Sequence, residues 1–381
     1  MKKFKIHLAL LSDQMVPNVI PALDDAIKPD KIILCESDSM KKKEKAEILS
    51  KFFKTKNIET ECVSMGNAYD FEEMQNIFTK IAERNSNEEL AINLTGGTKL
   101  MSIAAQNIFS VCGGYTCFYV VPKEDKIVVF DPGVDNVSEY FLKDQIKLND
   151  YFKIHGYDVI SKKTAKGFKP DKNSIEITEK ISRHSNIYTL KSISKLNKLA
   201  TNRRELNSLA IKPMLYEEDE PLFELFCDHN YIDEFDGNFI KFSDKKSREY
   251  CGGIWLEEYI HLGLSKIKDT FQDFATSVEI IDQNGTKNEL DAVFIYRNNL
   301  YILEAKTALV DKKGSDFIYK IDSLKSRTGL YTTPIIVSLR VFKKEEKQRA
   351  EKYGIKLIET HDITKLDEKI KDILGIKETT I

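Results

Sequence analysis

The segment NELDAVFIYRNNLYILEAK, residues 288–306, constrains the fold more than any other part of the chain. Two apolar runs meet at residues 298–299, a pattern that predicts a β-hairpin with its turn at that point. Side chains of a strand alternate between its two faces, so Glu304 and Lys306 are expected to point the same way. The hairpin then brings Asp291 from the first strand close to both of them. Two carboxylates and one ammonium group should therefore meet at the end of an otherwise apolar hairpin.

Two carboxylates beside a lysine suit metal-dependent hydrolysis of a phosphodiester. Carboxylates can hold Mg²⁺ or Mn²⁺ while leaving positions open for water and a phosphate oxygen, and the ion stabilises the charge of the transition state. The alternative is a surface ion pair worth about 0.2–1 kcal/mol. The apolar run up to Glu304 favours a site, because the charges interrupt a strand that would otherwise be buried. The arrangement D-x₁₂-E-x-K resembles the core of the PD-(D/E)xK nucleases.

The flanking sequence fits the same nuclease core. Residues 252–264, GGIWLEEYIHLGL, have the apolar spacing of a helix, and PD-(D/E)xK folds begin with a helix that often carries a glutamate beside the metal site. Glu257 or Glu258 would fill that role, with Glu257 preferred; two solvated glutamates are the alternative. The elements expected downstream are helices at about 317–327 and 344–353 and strands at 333–339 and 355–359.

Length and composition limit the other possibilities. A chain of 381 residues is expected to form two or three domains. With a net charge of −2 the chain as a whole is not basic, so any contact with nucleic acid must be made by a local basic surface. No apolar stretch approaches the ~20 residues that span a bilayer, and the histidines form no cluster that would predict a zinc site. Because no stretch could span a bilayer, no membrane partner is expected. The six cysteines form no CxxC pair, and a reducing cytoplasm is the expected location.

Residues 1–147 have the pattern of an α/β domain. Apolar strands alternate with helices, which predicts a mostly parallel sheet covered on both faces, and ligands of such sheets bind beyond the carboxyl ends of the strands. The predicted strands are 4–11, 31–35, 58–63, 90–94, 116–121 and 126–130. The predicted helices are 18–26, 41–54, 69–84 and one that follows Gly97.

A glycine-rich loop, TGGTK, follows the fourth predicted strand and leads directly into an apolar helix. Gly96 and Gly97 allow the backbone to approach a ligand closely, and the helix start offers unpaired N–H groups at a positive dipole end. Thr95, Thr98 and Lys99 add hydroxyl groups and a charge. The loop therefore favours a phosphate or another anionic nucleotide group; the alternative is a tight strand–helix turn with a glycine-rich cap.

Two further loops should emerge beside TGGTK, because the carboxyl ends of parallel strands lie at one edge of the sheet. Their polar and nearly uncharged residues suit a nucleotide with phosphates and bases. The candidate ligand contacts in these loops are Ser12, Asp13, Gln14, Asn18, Ser37 and Met40.

Residues 148–246 are rich in lysine, serine and asparagine and form a connector between the two ends of the chain. Helices are expected at 174–183, 191–199 and 221–230, and a hairpin is expected to turn at 236–237. Helices followed by a hairpin resemble a winged helix, which could contact DNA. The basic residues that could form a patch on the connector are Lys191, Lys195, Lys198, Arg203 and Arg204. A solvated helix face is the preferred explanation for them.

The two ends of the chain together resemble a known family. SDQMVPN and NLTGGTKLMSIAA are similar to the two ligand loops of CARF domains, the Rossmann-like sensors of cyclic oligoadenylates. WLEEY, NELD and LEAK are similar to a PD-(D/E)xK module, so the whole chain resembles the CARF nucleases of type III CRISPR defence. The implied architecture is α/β, with a Rossmann-like CARF domain at 1–147, a winged-helix-like connector at 148–246 and a nuclease domain at 247–381.

The resemblance implies an activator, a dimer and a metal site. Cyclic tetra-adenylate would bind across a homodimer, since a ring with two-fold symmetry fits a two-fold axis, and would activate cleavage of DNA or RNA. The residues implied for the activator site are Ser12, Gln14, Thr95, Gly96, Gly97, Thr98 and Lys99. The residues implied for Mn²⁺ or Mg²⁺ binding and for hydrolysis are Asp291, Glu304, the carbonyl of Ala305, and Lys306.

A ligand-controlled transcription regulator is the main alternative. In that function the winged helix would bind DNA and the nuclease-like module would be inert, which leaves Asp291, Glu304 and Lys306 without a role. A CARF ribonuclease of the HEPN type needs R-x₄₋₆-H, and no arginine of the chain precedes a histidine at that spacing. A nuclease controlled by a different activator stays open, because ring size cannot be read from the loops.

Overall fold

The computed structural model describes residues 2–131, 137–143, 146–164, 167–205, 207–236, 238–307 and 332–376. Within these ranges the chain forms two large β-sheets and one small sheet, with helices between most strands. This is the expected α/β class. No helix in the described ranges is both long enough and apolar enough to cross a bilayer. The helix expected at 317–327 lies outside the described residues.

The N-terminal sheet has a parallel centre and an antiparallel edge. Its strands, among the described residues, are β1 (Ile6–Leu10), β2 (Lys31–Glu36), β3 (Glu59–Ser64), β4 (Leu90–Asn93), β5 (Thr116–Val121), β6 (Lys126–Phe130) and β7 (Val137–Phe141). Their spatial order is β3-β2-β1-β4-β5-β6-β7, and only β6 and β7 pair antiparallel with their neighbours. All residues of β1 are buried, as in a central strand covered on both faces. The sequence does not predict β7, because this mostly exposed edge strand has no apolar pattern.

The helices of the N-terminal domain, in the described part, are α1 (Val16–Leu23), α2 (Asp38–Lys42), α3 (Lys45–Lys54), α4 (Phe71–Arg84) and α5 (Lys99–Cys112). The single helix expected at 41–54 is wrong, because Glu44 takes a left-handed conformation with φ of 54° and separates α2 from α3. α5 begins at a cap in which Thr98 accepts the N–H of Met101 at 3.2 Å. Such a cap satisfies one of the N–H groups that a first helical turn leaves unpaired.

The connector contains the expected helices and hairpin. Its helices are α6 (Leu148–Ile154), α7 (Asn173–Arg183), α8 (Leu190–Ala200) and α9 (Glu220–Asp228), and its strands are β8 (Tyr157–Lys163), β9 (Ala210–Ile211), β10 (Ile232–Phe235) and β11 (Ile240–Phe242). Strands β10, β11 and β9 form the small sheet in that order, and its hairpin follows α7 to α9 in the chain, which is the expected order of elements. The hairpin β10–β11 fits the expected turn, of which Gly237 lies outside the described residues.

The C-terminal sheet takes one strand from the connector. Its other described strands are β12 (Asp273–Asp282), β13 (Lys287–Tyr296), β14 (Asn299–Lys306), β15 (Thr333–Ser338) and β16 (Lys356–Ile358). Their order is β16-β15-β14-β13-β12-β8, so β8 completes the edge beside β12. The described helices here are α10 (Lys245–Glu249), α11 (Trp255–Lys266), α12 (Lys344–Lys352), α13 (Thr360–Ile363) and α14 (Leu366–Leu374). The sequence does not predict β12, whose alternation breaks at Ser277, a residue with φ of 46°.

The turn of the β13–β14 hairpin lies one residue earlier than expected. Tyr296 pairs with Asn299, so Arg297 and Asn298 form a two-residue loop, and their φ angles are 48° and 57°. Two left-handed residues form a type I′ turn, whose twist matches that of the flanking strands. The expected turn position is therefore wrong, and the register of the hairpin shifts with it.

The C-terminal sheet is buried on both faces. Val293 and Ile302 belong to a core that continues into the N-terminal domain, where it includes Phe118. Phe294 belongs to a second core that includes Phe226 of the connector. Packing is therefore continuous through the described parts of all three regions.

Candidate active site and ligand loops

The three charged residues of the hairpin meet at its open end, away from the turn. The antiparallel register places Asp291 beside Glu304. The backbone N–H of Ala305 donates to Oδ2 of Asp291 at 2.7 Å, and Nζ of Lys306 donates to Oε1 of Glu304 at 2.8 Å. The residues predicted for catalysis at 291, 304 and 306 are thus brought together, with two opposite charges in direct contact.

Burial makes this group of charges strongly interacting. The side chains of Glu304 and Lys306 are 13% and 29% exposed, so water screens their charges only in part. Burial, and then the negative charge of Glu304, raise the pKa of the Asp291 carboxyl well above its usual range. Crowded carboxylates of this kind favour a bound cation, because a cation removes their mutual repulsion.

The structure separates the two neighbouring glutamates of α11. Burial, and then the charge of Asp291, raise the pKa of Glu257 to about 8, and the charge of Glu304 acts in the same direction. Glu258 instead accepts the backbone N–H of Asp171 at 2.7 Å. Glu257 therefore lies next to the carboxylates of the hairpin. Glu258 instead holds the segment before α7 through this hydrogen bond.

The donor set at the hairpin fits a hard divalent cation. Asp291 and Glu304 supply carboxylate oxygens, and Ala305 supplies a backbone carbonyl, which are the donors that Mg²⁺ and Mn²⁺ prefer. Among the described residues there is no group of three or more His, Cys, Asp or Glu side chains arranged to hold a metal ion. The expected ligand set contains two such side chains, so the remaining positions of an ion would be filled by the carbonyl and by water or substrate.

A cleft of about 520 Å³ lies beside these residues. Its lining includes Glu257, Ala305 and Lys306, together with Asn197 and Lys198 of α8. Sequence reasoning misses the role of α8 as a wall of the cleft. The only available signal is the run of lysines in the connector, and that run does not reveal which lysine faces the cleft.

The glycine loop of the N-terminal domain lies directly against the end of β1. A Cβ atom at Gly96 would lie 1.9 Å from the carbonyl oxygen of Leu10, which no side chain can tolerate. Gly97 has φ of 71°, and a Cβ there would lie 2.9 Å from Cβ of Leu10. The loop after β4 and the loop after β1 are therefore neighbours, as their position at one sheet edge predicts.

Several of the predicted ligand residues hold these loops together instead of facing outward. Asn18 is buried, donates to the carbonyl of Leu10 at 3.0 Å and accepts from Asn93 at 3.2 Å. The hydroxyl of Thr95 donates to Oδ1 of Asn93 at 2.6 Å and accepts the N–H of Val120 at 2.7 Å. Asn18 and Thr95 therefore support the shape of the site from within the domain.

The remaining predicted ligand residues divide by exposure. Ser37 and Met40 are buried. Asp13 is exposed and forms an ion pair with Lys43 at 2.7 Å. Of these remaining predicted residues, the ones that are exposed or half-buried, and so can face a ligand, are Ser12, Asp13, Gln14, Gly97, Thr98 and Lys99.

Comparisons with known protein families match the two ends of the chain. The Card1 CARF domain family matches residues 6–151, and the Card1-like endonuclease domain family matches residues 244–376. No curated protein is similar to the chain.

Solved structures share the fold over nearly the whole chain. Protein VC1899 from Vibrio cholerae is 23% identical, with a TM-score of 0.79 over 97% of this chain and 98% of that one. Can2 from Sulfobacillus thermosulfidooxidans, in complex with cyclic tetra-adenylate, is 22% identical, with a TM-score of 0.76 over 98% of both chains. A type III CRISPR defence DNA nuclease activated by cyclic oligoadenylate is 16% identical, with a TM-score of 0.54 over 90% of this chain and 46% of that one. The two family matches show that the chain joins a Card1 CARF domain to a Card1-like endonuclease domain.

Proposed function

We propose that this protein is an endonuclease of type III CRISPR defence that a cyclic oligoadenylate switches on. The observation that carries the proposal is the meeting of Asp291, Glu304 and Lys306, next to a cleft that Lys306 and Glu257 line. A partly buried cluster with excess negative charge costs stability, so its presence calls for a functional reason. Its position in an endonuclease domain of the Card1 type adds support.

Each residue of the cluster has a distinct role in the proposed reaction. Asp291, Glu304 and the carbonyl of Ala305 would hold Mn²⁺ or Mg²⁺, and a bound ion supplies an activated water and offsets charge on the phosphate. Lys306 orients the attacking water and stabilises the charge that develops on the phosphate oxygens. Glu257 supports the site, because its main charged neighbour is Asp291.

The activator would be cyclic tetra-adenylate, bound across a homodimer of the CARF domain. Lys99 is exposed at the start of α5, and Ser12 and Gln14 lie in the loop beside it. A two-fold ring fits a two-fold axis, and the complex of Can2 with this ligand supports the choice. For the ligand to activate cleavage, it must bind the active arrangement more tightly than the idle one.

The regions of the chain have separate duties in this proposal. Residues 1–147 bind the activator, residues 148–246 connect the two domains, and residues 247–381 cleave the nucleic acid. Strand β8 of the connector completes the sheet of the nuclease domain. The protein would act in the cytoplasm, where invading nucleic acid is met. DNA and RNA are both candidate substrates.

A cleavage assay tests the proposal directly. Labelled single-stranded DNA, single-stranded RNA and supercoiled plasmid are incubated with the protein and Mn²⁺, with and without cyclic tetra-adenylate. We expect cutting only when metal and activator are both present. Cutting that ignores the activator would contradict the gating, and activator binding without any cutting would favour the transcription regulator.

The activator site has its own test. Lys99→Ala should weaken binding of cyclic tetra-adenylate at least tenfold, because it removes a charge that faces the phosphates. Lys54→Ala, an exposed lysine at the end of α3, is the matched control and should leave affinity unchanged. Equal affinity for wild type and Lys99→Ala would place the ligand elsewhere.

A further inference from the structure

Helix α8 of the connector presents one lysine to the active-site cleft. Lys198 is exposed and lines the cleft together with Glu257 and Lys306. In the described parts of the chain Lys198 has no ion-pair partner. Its ammonium group is therefore available to a negatively charged molecule that enters the cleft.

The other two lysines of α8 are already neutralised. Lys191 forms an ion pair with Glu218 at 2.6 Å, and Lys195 forms one with the buried carboxylate of Asp219. The lysine run predicted from the sequence is thus not a uniform basic patch. Lys198 differs from its neighbours in both its position and its lack of a described acidic partner.

Two contacts hold α8 in place beside the catalytic hairpin. The side-chain amide of Asn197 donates to the hydroxyl of Thr307 at 2.7 Å, one residue beyond Lys306. At the end of α8, the buried guanidinium of Arg248 donates to the carbonyls of Leu199 and Ala200 at 3.1 and 2.8 Å. A charge on a helix fixed at both of these points has a defined position relative to the reacting groups.

We infer that Lys198 binds a phosphate of the nucleic-acid substrate beside the phosphate that is cut, so that α8 positions the strand in the cleft. The inference rests on the proposed nuclease function. A substrate strand carries a phosphate on every nucleotide, and lysine contacts to the phosphates flanking the reacting one fix its register. Lys198 is a positioning residue in this arrangement, because the reacting atoms lie near Lys306 and the carboxylates.

Binding in the absence of cleavage provides the first test. Fluorescence anisotropy is measured with a labelled 20-nucleotide DNA and an RNA of the same sequence, in EDTA with cyclic tetra-adenylate, from 50 to 200 mM salt. We expect Lys198→Ala to weaken binding about fivefold and to lower the slope of log affinity against log salt by about one. Lys198→Arg should restore both. Lys191→Ala, on the same helix but paired with Glu218, is the control and should change neither.

Steady-state cleavage provides the second test and separates this inference from the proposed function. If the wild-type protein cuts, Lys198→Ala should raise KM about fivefold and change kcat less than twofold. An unchanged salt slope and KM would overturn the role of Lys198 while leaving the nuclease intact. If the wild-type protein binds nucleic acid but does not cut it, the proposed nuclease function is wrong. The salt dependence of binding by Lys198→Ala would then still show whether Lys198 contacts a phosphate. No binding of DNA or RNA by the wild type would overturn both.

Discussion

Asn298, in the turn of the β13–β14 hairpin, donates a hydrogen bond to the carboxylate of Asp125 in the CARF domain. The Asn298 side chain is 1% exposed, and its Oδ1 also accepts the backbone N–H of Ile146 at 3.4 Å. The same hairpin carries Asp291 and Glu304 at its other end. One continuous pair of strands therefore joins the CARF domain to the two carboxylates of the proposed active site.

Removing the Asn298 side chain should weaken this coupling. Asn298→Gly keeps the left-handed backbone at no steric cost. It deletes an amide that donates to Asp125 and accepts from Ile146 and from Gln272 of the C-terminal region. We expect the free energy of unfolding to fall by about 1–3 kcal/mol, and the ratio of cleavage rates with and without activator to fall severalfold, with activator affinity retained. Asn230→Gly is the control, because Asn230 also has positive φ, at 61°, but lies in the connector. An unchanged activation ratio would show that the turn does not transmit the signal.

Glu304→Gln and Lys306→Met should each abolish cleavage. The first removes a proposed metal ligand, and the second removes the ammonium group that contacts Glu304. Losses of 100-fold or more in kcat are about what such groups contribute. Activator affinity, measured by calorimetry with cyclic tetra-adenylate, should stay at the wild-type value. Glu279→Gln on β12 is the control for a charge change in the same sheet. A variant at 304 or 306 that cuts at the wild-type rate would remove that residue from the site.

Glu257→Gln should make the metal-free protein more stable at alkaline pH. A carboxyl whose pKa rises from an unfolded value near 4.5 to about 8 in the folded state destabilises the fold once it must ionise, so the penalty is absent below pH 4.5 and grows up to about pH 8. In EDTA at pH 8 we expect the variant to be more stable by about 2–4 kcal/mol, and at pH 4.5 to match the wild type. Urea unfolding at the two pH values measures the difference. Glu258→Gln is the neighbouring control and should leave cleavage intact, whereas Glu257→Gln should lower it at least tenfold.

Gly96→Ala should damage the CARF domain in particular. The added Cβ would lie 1.9 Å from the carbonyl oxygen of Leu10, so the loop or β1 must move, at a cost of about 3 kcal/mol. Gly375→Ala, after the last helix, adds its Cβ in open space and bears only the left-handed strain of φ 71° and ψ 23°, about 1–2 kcal/mol. Thermal unfolding compares the two variants. Similar midpoints would mean that the loop accommodates the methyl group without strain.

Arg248→Lys should destabilise the protein although it keeps the charge. A lysine cannot reproduce the fork of donors that Arg248 directs to the carbonyls at the end of α8, and losing charged hydrogen bonds in a buried position should cost about 2–4 kcal/mol. Arg349→Lys, an exposed substitution on α12, should stay within about 0.5 kcal/mol. Denaturant unfolding of both variants tests the difference. Equal stability would mean that the end of α8 is held by other contacts.

Sequence patterns predict the elements of this structure that are determined by residues close together in the chain. Apolar runs predict the parallel strands, adjacent glycines predict the ligand loop, and charges within a few residues of each other predict the site on the hairpin. β12 is missed because its alternation is interrupted at Ser277. The turn is misplaced by one residue because the sequence RNN offers two overlapping pairs that can adopt the left-handed conformation.

The parts that cannot be predicted depend on contacts between distant segments. Lys195 and Lys198 look alike in the sequence, and only the fold brings Asp219 to the first and the cleft to the second. Thr95 looks like a ligand residue, but the fold places its hydroxyl between Asn93 and Val120. No pattern within a single segment contains such information.

The position of β8 has a practical consequence for dissecting the protein. This strand pairs with β12 but lies in the connector, ahead of α7 to α9 in the chain. A fragment cut at residue 244, where the endonuclease family match begins, would leave β12 as a bare edge ten residues long. Unpaired edges of that length recruit strands from other molecules and promote aggregation. A soluble nuclease fragment should therefore begin ahead of Tyr157 and carry the connector with it.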